Sequence, residues 1–378
     1  MPASARALFH GARATGRVWR SFPPPPADAR RRVAYVGWSG NGNLGDDAMI
    51  AAHRLLLPGW DVVQVPNHAG LTRLTDAALR RVSVVCLGGG TLVLNGHFRE
   101  TLERLLHAAP DAPRVVLGVG VEDLGFREGR RAGVGAEVEA WRPLLTQFDR
   151  VRVRGPLSAG TLDSTGIEAV VTGDPALALP PQSPAAHGVA TGTTAGTRVG
   201  VNFGVTDDLW GGDHAAFRAA VVAAVGRLVA AGHQVALLAT TTEDHAHLTR
   251  VAAECRAAGT PVEGPNAVTL AALDTALAGC AVVVGEKLHA LVLAARLGIP
   301  TLALEYRPKC RDFQLSVGRG DRVLRTSDLD VDTLVTFVTA GLAAAPTERA
   351  PLLAAVRERT TALGHAGEQM RLAMAVAA

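Results

Sequence analysis

The chain has 378 residues, of which 48% are hydrophobic and 19% charged, with a formal net charge of +3. At roughly 100–200 residues per domain, this length and apolar content read as two domains with buried cores, which excludes a wholly disordered chain. The near balance of 38 basic against 35 acidic residues argues against nucleic acid as a partner. No apolar run reaches the ~18–20 residues that span a bilayer.

Residues 1–32 carry seven arginines against one acid, plus a proline run at Pro23–Pro26. They read as a solvated, poorly ordered basic arm. The alternative is peripheral contact with an anionic membrane surface, since Phe9, Trp19 and Phe22 suit a headgroup layer. No apolar segment of signal-peptide type follows the basic N-terminus, so the expected location is cytoplasmic. The four cysteines (Cys86, Cys255, Cys280, Cys310) sit in or beside apolar stretches, with no CxxC pair and no metal spacing. Buried, reduced thiols and no metal are expected.

From Val33 onward, short apolar runs alternate with helix-length patterns. Strands are predicted at Val33–Gly37, Val62–Val65, Val82–Leu87, Val115–Val119, Arg150–Val153 and Ala169–Val171, with helices such as Asp46–Leu57 and Phe98–Ala109 between them. Short buried strands alternating with helices imply a parallel sheet with crossovers. Residues 181–198, rich in Pro, Gly, Ser and Thr, read as a linker between domains 33–180 and 199–346. Alternation then resumes: strands at Val199–Phe203, Gln234–Ala239, Ala281–Val284 and Thr301–Glu305, and helices near 214–231, 244–258 and 287–297. Residues 347–378 read as a helical segment folding back over a domain face. The expected fold is α/β, with two Rossmann-like domains facing each other across a cleft, as in the GT-B type.

Gly40-Asn41-Gly42-Asn43-Leu44-Gly45 fits G-x-G-x-x-G between a strand and a helix. Two features argue against a dinucleotide site. The second strand runs into Pro66-Asn67 with no acid at its end to hold a ribose, and the loop leads directly into Asp46-Asp47. Carboxylates at a helix start repel a pyrophosphate but accept hydrogen bonds from sugar hydroxyls. Asn41, Asn43, Asp46 and Asp47 therefore read as a loop for an acceptor sugar, with plain helix capping by Asp46 as the alternative. Gly88-Gly89-Gly90 ends the third strand, where Gly89 and Gly90 let a ligand approach the backbone; tight packing is the alternative reading.

A basic cluster marks the second half. Of the 38 Lys and Arg residues only two are lysines, Lys287 and Lys309. Gly285-Glu286-Lys287-Leu288-His289 follows a buried strand, and Gly298-Ile299-Pro300 closes the helix that begins there. A helix starting near Glu286 places Lys287 and His289 in its first turn, an anion pocket to which the next strand delivers Tyr306 and Lys309. Arg154, at the carboxyl end of its strand, is a third basic element, with an interdomain salt bridge as the alternative. Asp174, just after another strand, sits at a cleft edge.

The set Gly42-Asn43-Leu44-Gly45-Asp46-Asp47, the triple glycine, Arg154 with Ser158, Gly173-Asp174-Pro175, Leu288-His289, Gly298-Ile299-Pro300 and Tyr306…Lys309 resembles the polysaccharide pyruvyl transferase family. The resemblance runs from about Val33 to Phe313. It implies a GT-B-like fold and transfer of a pyruvyl group from phosphoenolpyruvate to sugar hydroxyls, usually as a ketal, with loss of phosphate. It implies no cofactor beyond phosphoenolpyruvate as co-substrate, and a sugar or glycan acceptor. The family's donor-binding arginine carries over onto Arg154, and its Arg-Leu-His element onto Lys287-Leu288-His289, with Lys where Arg is usual. On this resemblance His289 is the general acid and Asp46 or Asp47 the base or hydroxyl-orienting group. Arg154, Lys287, Leu288, Tyr306 and Lys309 hold the donor, and Asn41, Asn43, Gly89 and Gly90 line the acceptor side. The competing readings are a GT-B glycosyltransferase using a nucleotide sugar, for which Glu305 is the nearest ribose-binding carboxylate, and a non-catalytic glycan-binding protein.

Overall fold

The computed structural model describes residues 31–65, 82–94, 96–127, 134–182, 197–206 and 208–376. The basic arm before residue 31 and most of the Pro- and Gly-rich segment after residue 182 lie outside the described residues.

In the first half, β1 (Arg32–Val36), β2 (Asp61–Gln64), β3 (Val84–Leu87) and β5 (Arg114–Val116) form one parallel sheet, ordered β2-β1-β3-β5. A second parallel sheet, β4-β6-β7-β8, joins β4 (Gly90–Val93), β6 (Val119–Val121), β7 (Val151–Val153) and β8 (Ala169–Val171). The two are continuous: β4 follows β3 after Gly88-Gly89, β6 follows β5, and the Leu117 N–H bonds to Leu87 O at 3.3 Å between them. The crossovers are α1 (Leu44–Leu56), α2 (Gly96–Ala108), α3 (Val134–Leu145) and α4 (Pro156–Asp163). Alternation along β1 shows why both faces are apolar. Ala34 and Val36 pack with Leu102 and Trp141 in a core private to this half, whereas Val33 and Tyr35 join a core shared with the second half.

The second half carries β9 (Arg198–Asn202), β10 (Gln234–Leu237), β11 (Cys280–Gly285), β12 (Thr301–Glu305) and β13 (Val323–Arg325), all parallel, in the order β10-β9-β11-β12-β13. Its helices are α5 (His214–Ala230), α6 (Thr242–Ala257), α7 (Leu270–Leu277), α8 (Leu288–Arg296) and α9 (Pro308–Ser316). The strand order reverses direction between β1 and β3 in one half and between β9 and β11 in the other. Ligands of doubly wound sheets bind beyond the carboxyl ends at such reversals.

The last helix, α10 (Val331–Val376), has 46 residues and begins well before the expected Thr347, with Pro346 and Pro351 inside it. Helical pattern continues on both sides of those prolines, and packing outweighs the backbone bonds they remove. The helix packs on α5 and β11 of the second half and then crosses to the first. There the Arg359 guanidinium donates to Val171 O at 3.2 Å, and Arg152 donates to the Gln369 side chain at 3.0 Å. None of the described helices is long and apolar enough to cross a membrane.

Candidate functional site

The turn after β1 is held partly by its own polar groups and partly by the second half, where the Leu44 N–H bonds to Thr240 O at 2.8 Å and the Thr242 N–H to Gly42 O at 2.9 Å. Asn43, not Asp46, caps α1: its side-chain oxygen accepts the Gly45 N–H at 3.0 Å. Asp47 accepts the Gly40 N–H at 2.6 Å and locks the loop. Asn41 is exposed and donates to Ser39 O at 2.9 Å. That leaves Asp46 as the acid with no such structural bond. Burial pushes its carboxyl up to about 7, against the pull of Lys309 and with the help of Asp47 and Asp174.

The turn after β11 is held by the second half's own polar groups. The Glu286 N–H bonds to Asn202 O at 2.9 Å, and the Lys287 N–H to the Asn202 side-chain oxygen at 2.9 Å. These bonds keep Glu286 and Lys287 extended, so the helix begins at Leu288 and Lys287 is its N-cap residue rather than a member of its first turn. The Lys287 ammonium donates to Val205 O at 2.5 Å and lies 3.7 Å from Asp244. Glu286 is fully buried and accepts the Gly204 N–H at 2.7 Å, and burial pushes its carboxyl up to about 7 despite Lys287.

His289 projects from the first turn of α8 onto the first half. A Cβ at Gly45 would stand 2.0 Å from His289 Nδ1, so only glycine at 45 lets the imidazole lie against the α1 start, one residue from Asp46. His289 Nε2 faces Asp174 Oδ2 at 3.7 Å. Burial lowers the imidazole to about 4, opposed by Asp174 and reinforced by Arg154 and Lys309. Asp174 also caps the short turn Pro175–Ala178, accepting the Ala176 N–H at 3.0 Å.

Tyr306 lies just past β12, and Lys309 sits in the first turn of α9, a helix that the sequence reading left out and that Pro308 opens. The Lys309 ammonium stands 4.9 Å from the centre of the Tyr306 ring and that of Lys287 5.8 Å from it, so one aromatic ring gathers both lysines. Burial, reinforced by Arg307, Lys287 and Arg154, lowers the Lys309 ammonium to about 7. Arg154, only 1% exposed, donates to Thr91 Oγ1 at 3.3 Å and approaches Asp312 Oδ2 at 3.9 Å. Arg154 thus faces a carboxylate across the domain boundary, while its Nε and Nη1 have no hydrogen-bond partner among the described residues.

Asp46, Arg154, Asp174, His289, Tyr306, Lys287 and Lys309 thus meet at one seam. Leu288 supplies buried apolar wall beside them. At the triple glycine a Cβ at Gly89 would stand 1.5 Å from Met49 Cε, and Gly90 has φ +102°, so packing and backbone conformation require glycine at both positions. Asn43 likewise has its side-chain oxygen engaged in the α1 cap.

Sequence reasoning missed Tyr35, whose ring is wedged where Cβ atoms at Gly37 or Gly88 would be, and whose buried hydroxyl lies against the Gly89 backbone. An isolated tyrosine in an apolar strand carries no signal beyond rarity, although the chain has just two tyrosines and both are here. Asn202, Asp244 and Asp312 were missed because nothing local marks them.

A family model described as polysaccharide pyruvyl transferase matches residues 43–308, from the α1 cap to the start of α9. The chain belongs to the polysaccharide pyruvyl transferase family. It is accordingly a transferase that modifies polysaccharides, with sugar or glycan as the expected acceptor class. Solved structures agree on the GT-B fold. The chain is similar to MnaA of S. aureus in its co-structure with UDP, at 11% identity and a TM-score of 0.59, over 90% of this chain and 94% of that one. It is similar to HepE of Anabaena in complex with UDP and glucose, at 11% identity and a TM-score of 0.56, over 90% and 99% of the two chains. A UDP-GlcNAc 2-epimerase from Neisseria meningitidis aligns at 10% identity and a TM-score of 0.53, over 92% and 100%. Among curated proteins none matches the chain.

Proposed function

We propose that this family member transfers a pyruvyl group from phosphoenolpyruvate to sugar hydroxyls, forming a ketal and releasing phosphate. One observation carries the reading. Arg154 Nε and Nη1, Asp174 Oδ2 and His289 Nε2 are buried without hydrogen-bond partners among the described residues, around one seam. Each such group costs ~1–3 kcal/mol when unsatisfied, and a small polyanion with polar oxygens at both ends supplies partners for such a set. Arg154, Lys309 and Lys287 provide cationic charge for a carboxylate and a phosphate in a site of low dielectric.

In this mechanism His289 Nε2 delivers a proton to C3 of the enol, positive charge develops at C2, and a sugar hydroxyl attacks there. Asp46 takes the hydroxyl proton. Phosphate then departs from C2 with the bonding pair, and a second hydroxyl closes the ketal, its proton leaving with phosphate. His289 is neutral near pH 7 on its own. A bound anion offsets Arg154 and Lys309, the two cations that depress it, and so lets it hold the proton it must give. Lys287 in place of Arg acts as a point charge without a bidentate fork.

The UDP-bound neighbours favour a second reading, a nucleotide-sugar glycosyltransferase. It needs a carboxylate for the ribose, and Glu305 is already engaged by Arg311 at 2.8 Å and by Arg325 at 3.3 Å. Phosphate release from phosphoenolpyruvate, measured against a panel of sugars and lipid-linked glycans, tests the proposal. Release that depends on a sugar supports it; turnover of a UDP-sugar with no release from phosphoenolpyruvate sinks it.

A further inference from the structure

The helix α4 begins two residues after Arg154 and lacks a side-chain cap of its own. Its N-cap residue is Gly155, and Pro156 follows in the first turn. A helix start without such a cap leaves backbone N–H groups unpaired. Here they are paired from the other domain. Asp312 Oδ1, on α9, accepts the Leu157 N–H at 2.8 Å and the Ser158 N–H at 3.3 Å, while Oδ2 accepts the Ser158 hydroxyl at 2.7 Å. Ser158 Oγ in turn accepts the Val121 N–H at 3.0 Å. The fit is tight: a Cβ at Gly155 would stand 2.2 Å from Asp312 Oδ1.

The same carboxylate faces the Arg154 guanidinium at 3.9 Å, with both side chains almost fully buried. Asp312 therefore holds Arg154 twice, through the backbone of α4 and through charge. It lies one helical turn beyond Lys309 on α9, so the residue that orients the arginine of one domain shares a helix with the lysine of the other. The family match ends at residue 308, short of both Lys309 and Asp312.

We propose that Asp312 is a positioning residue: a helix cap supplied across the domain boundary, which sets Arg154 against Lys309 so that the two cations form one anion site. The proposal rests on the reading of this seam as the donor site. Asp312→Asn keeps an oxygen for the Leu157 and Ser158 N–H groups but removes the charge opposite Arg154, whereas Asp312→Ala removes both.

The test combines amide exchange at residues 157–158 with steady-state kinetics against phosphoenolpyruvate. Exchange should quicken in Asp312→Ala and stay close to wild type in Asp312→Asn. KM for phosphoenolpyruvate should rise about tenfold in Asp312→Asn and more in Asp312→Ala, with kcat of Asp312→Asn within about threefold of wild type. Unchanged exchange in Asp312→Ala overturns the cap, whatever the wild-type protein does with phosphoenolpyruvate. An unchanged KM in both variants overturns the positioning role. If wild type itself neither binds phosphoenolpyruvate nor releases phosphate, the donor reading falls and the positioning role falls with it, while the exchange result still decides the cap.

Discussion

The turn after β1 and the turn after β11 are the same device with opposite charge. Each leaves a parallel strand at a reversal of strand order and enters a helix, and each is held by hydrogen bonds to an Asn side chain. The first presents Asp46; the second presents Lys287 and His289. In the first, the capping Asn43 belongs to the turn itself, whereas in the second Asn202 comes from the neighbouring strand. A cap supplied within the turn lies nearby in sequence, although the sequence reading assigned it to Asp46 and not to Asn43. A brace from 85 residues away leaves no local mark.

The largest effect that sets the two turns apart is expected at His289. His289→Ala should lower phosphate release by about 10²–10⁴-fold, the usual worth of a general acid, with a cooperative melting transition retained. Full turnover in that variant would remove the acid from the mechanism. On the opposite wall Asp46→Asn should cost about 10²-fold or more in kcat. Its neighbour provides the contrast: Asp47→Asn keeps an oxygen for the Gly40 N–H and should stay within about tenfold of wild type. Equal losses in the two variants would mean that the loop's shape, not the Asp46 carboxylate, is what matters.

The pH dependence sharpens the comparison further. The protonated Lys309 binds the anion, so donor affinity should be highest below about 7 and fall as pH rises through it, by no more than about tenfold per unit for one group. His289, held near 4 by burial and two cations, should gain a proton when the donor binds. Titration calorimetry near pH 6 in buffers of different ionisation heat reads that uptake directly. No net uptake would contradict His289 as acid. The smallest effect is expected from Lys287→Arg. Its ammonium already donates to Val205 O and faces Asp244, so donor KM should change by less than about tenfold.

Most strands follow from apolar runs because a strand buried on both faces leaves a continuous signature in sequence. Two short strands, β4 and β13, escaped, and the expected strand Val115–Val119 is two in the fold, β5 and β6, broken at Leu117-Gly118. Of the two that escaped, β4 begins inside the triple glycine, and β13 has partly exposed residues at an edge. Gly45 was recognised within the glycine-rich loop for a different reason and Gly155 was not noticed: both are small because His289 and Asp312 of the other domain press on them. Nothing within five residues of either glycine announces that neighbour.

Residue type and local spacing determined the two-domain α/β plan, the family, and the acids, lysines, histidine and arginine of the seam. Local rules of strand burial and helix initiation act over a few residues, and a single sequence records them. Closure of one half upon the other decided which of these groups carry unusual charge and which merely cap a turn. It raised Asp46 and left Asp47 tying the loop, brought Tyr35 and Asp312 into the site, and depressed His289 and Lys309. Desolvation and pairing across a domain boundary depend on distances that only the folded chain defines.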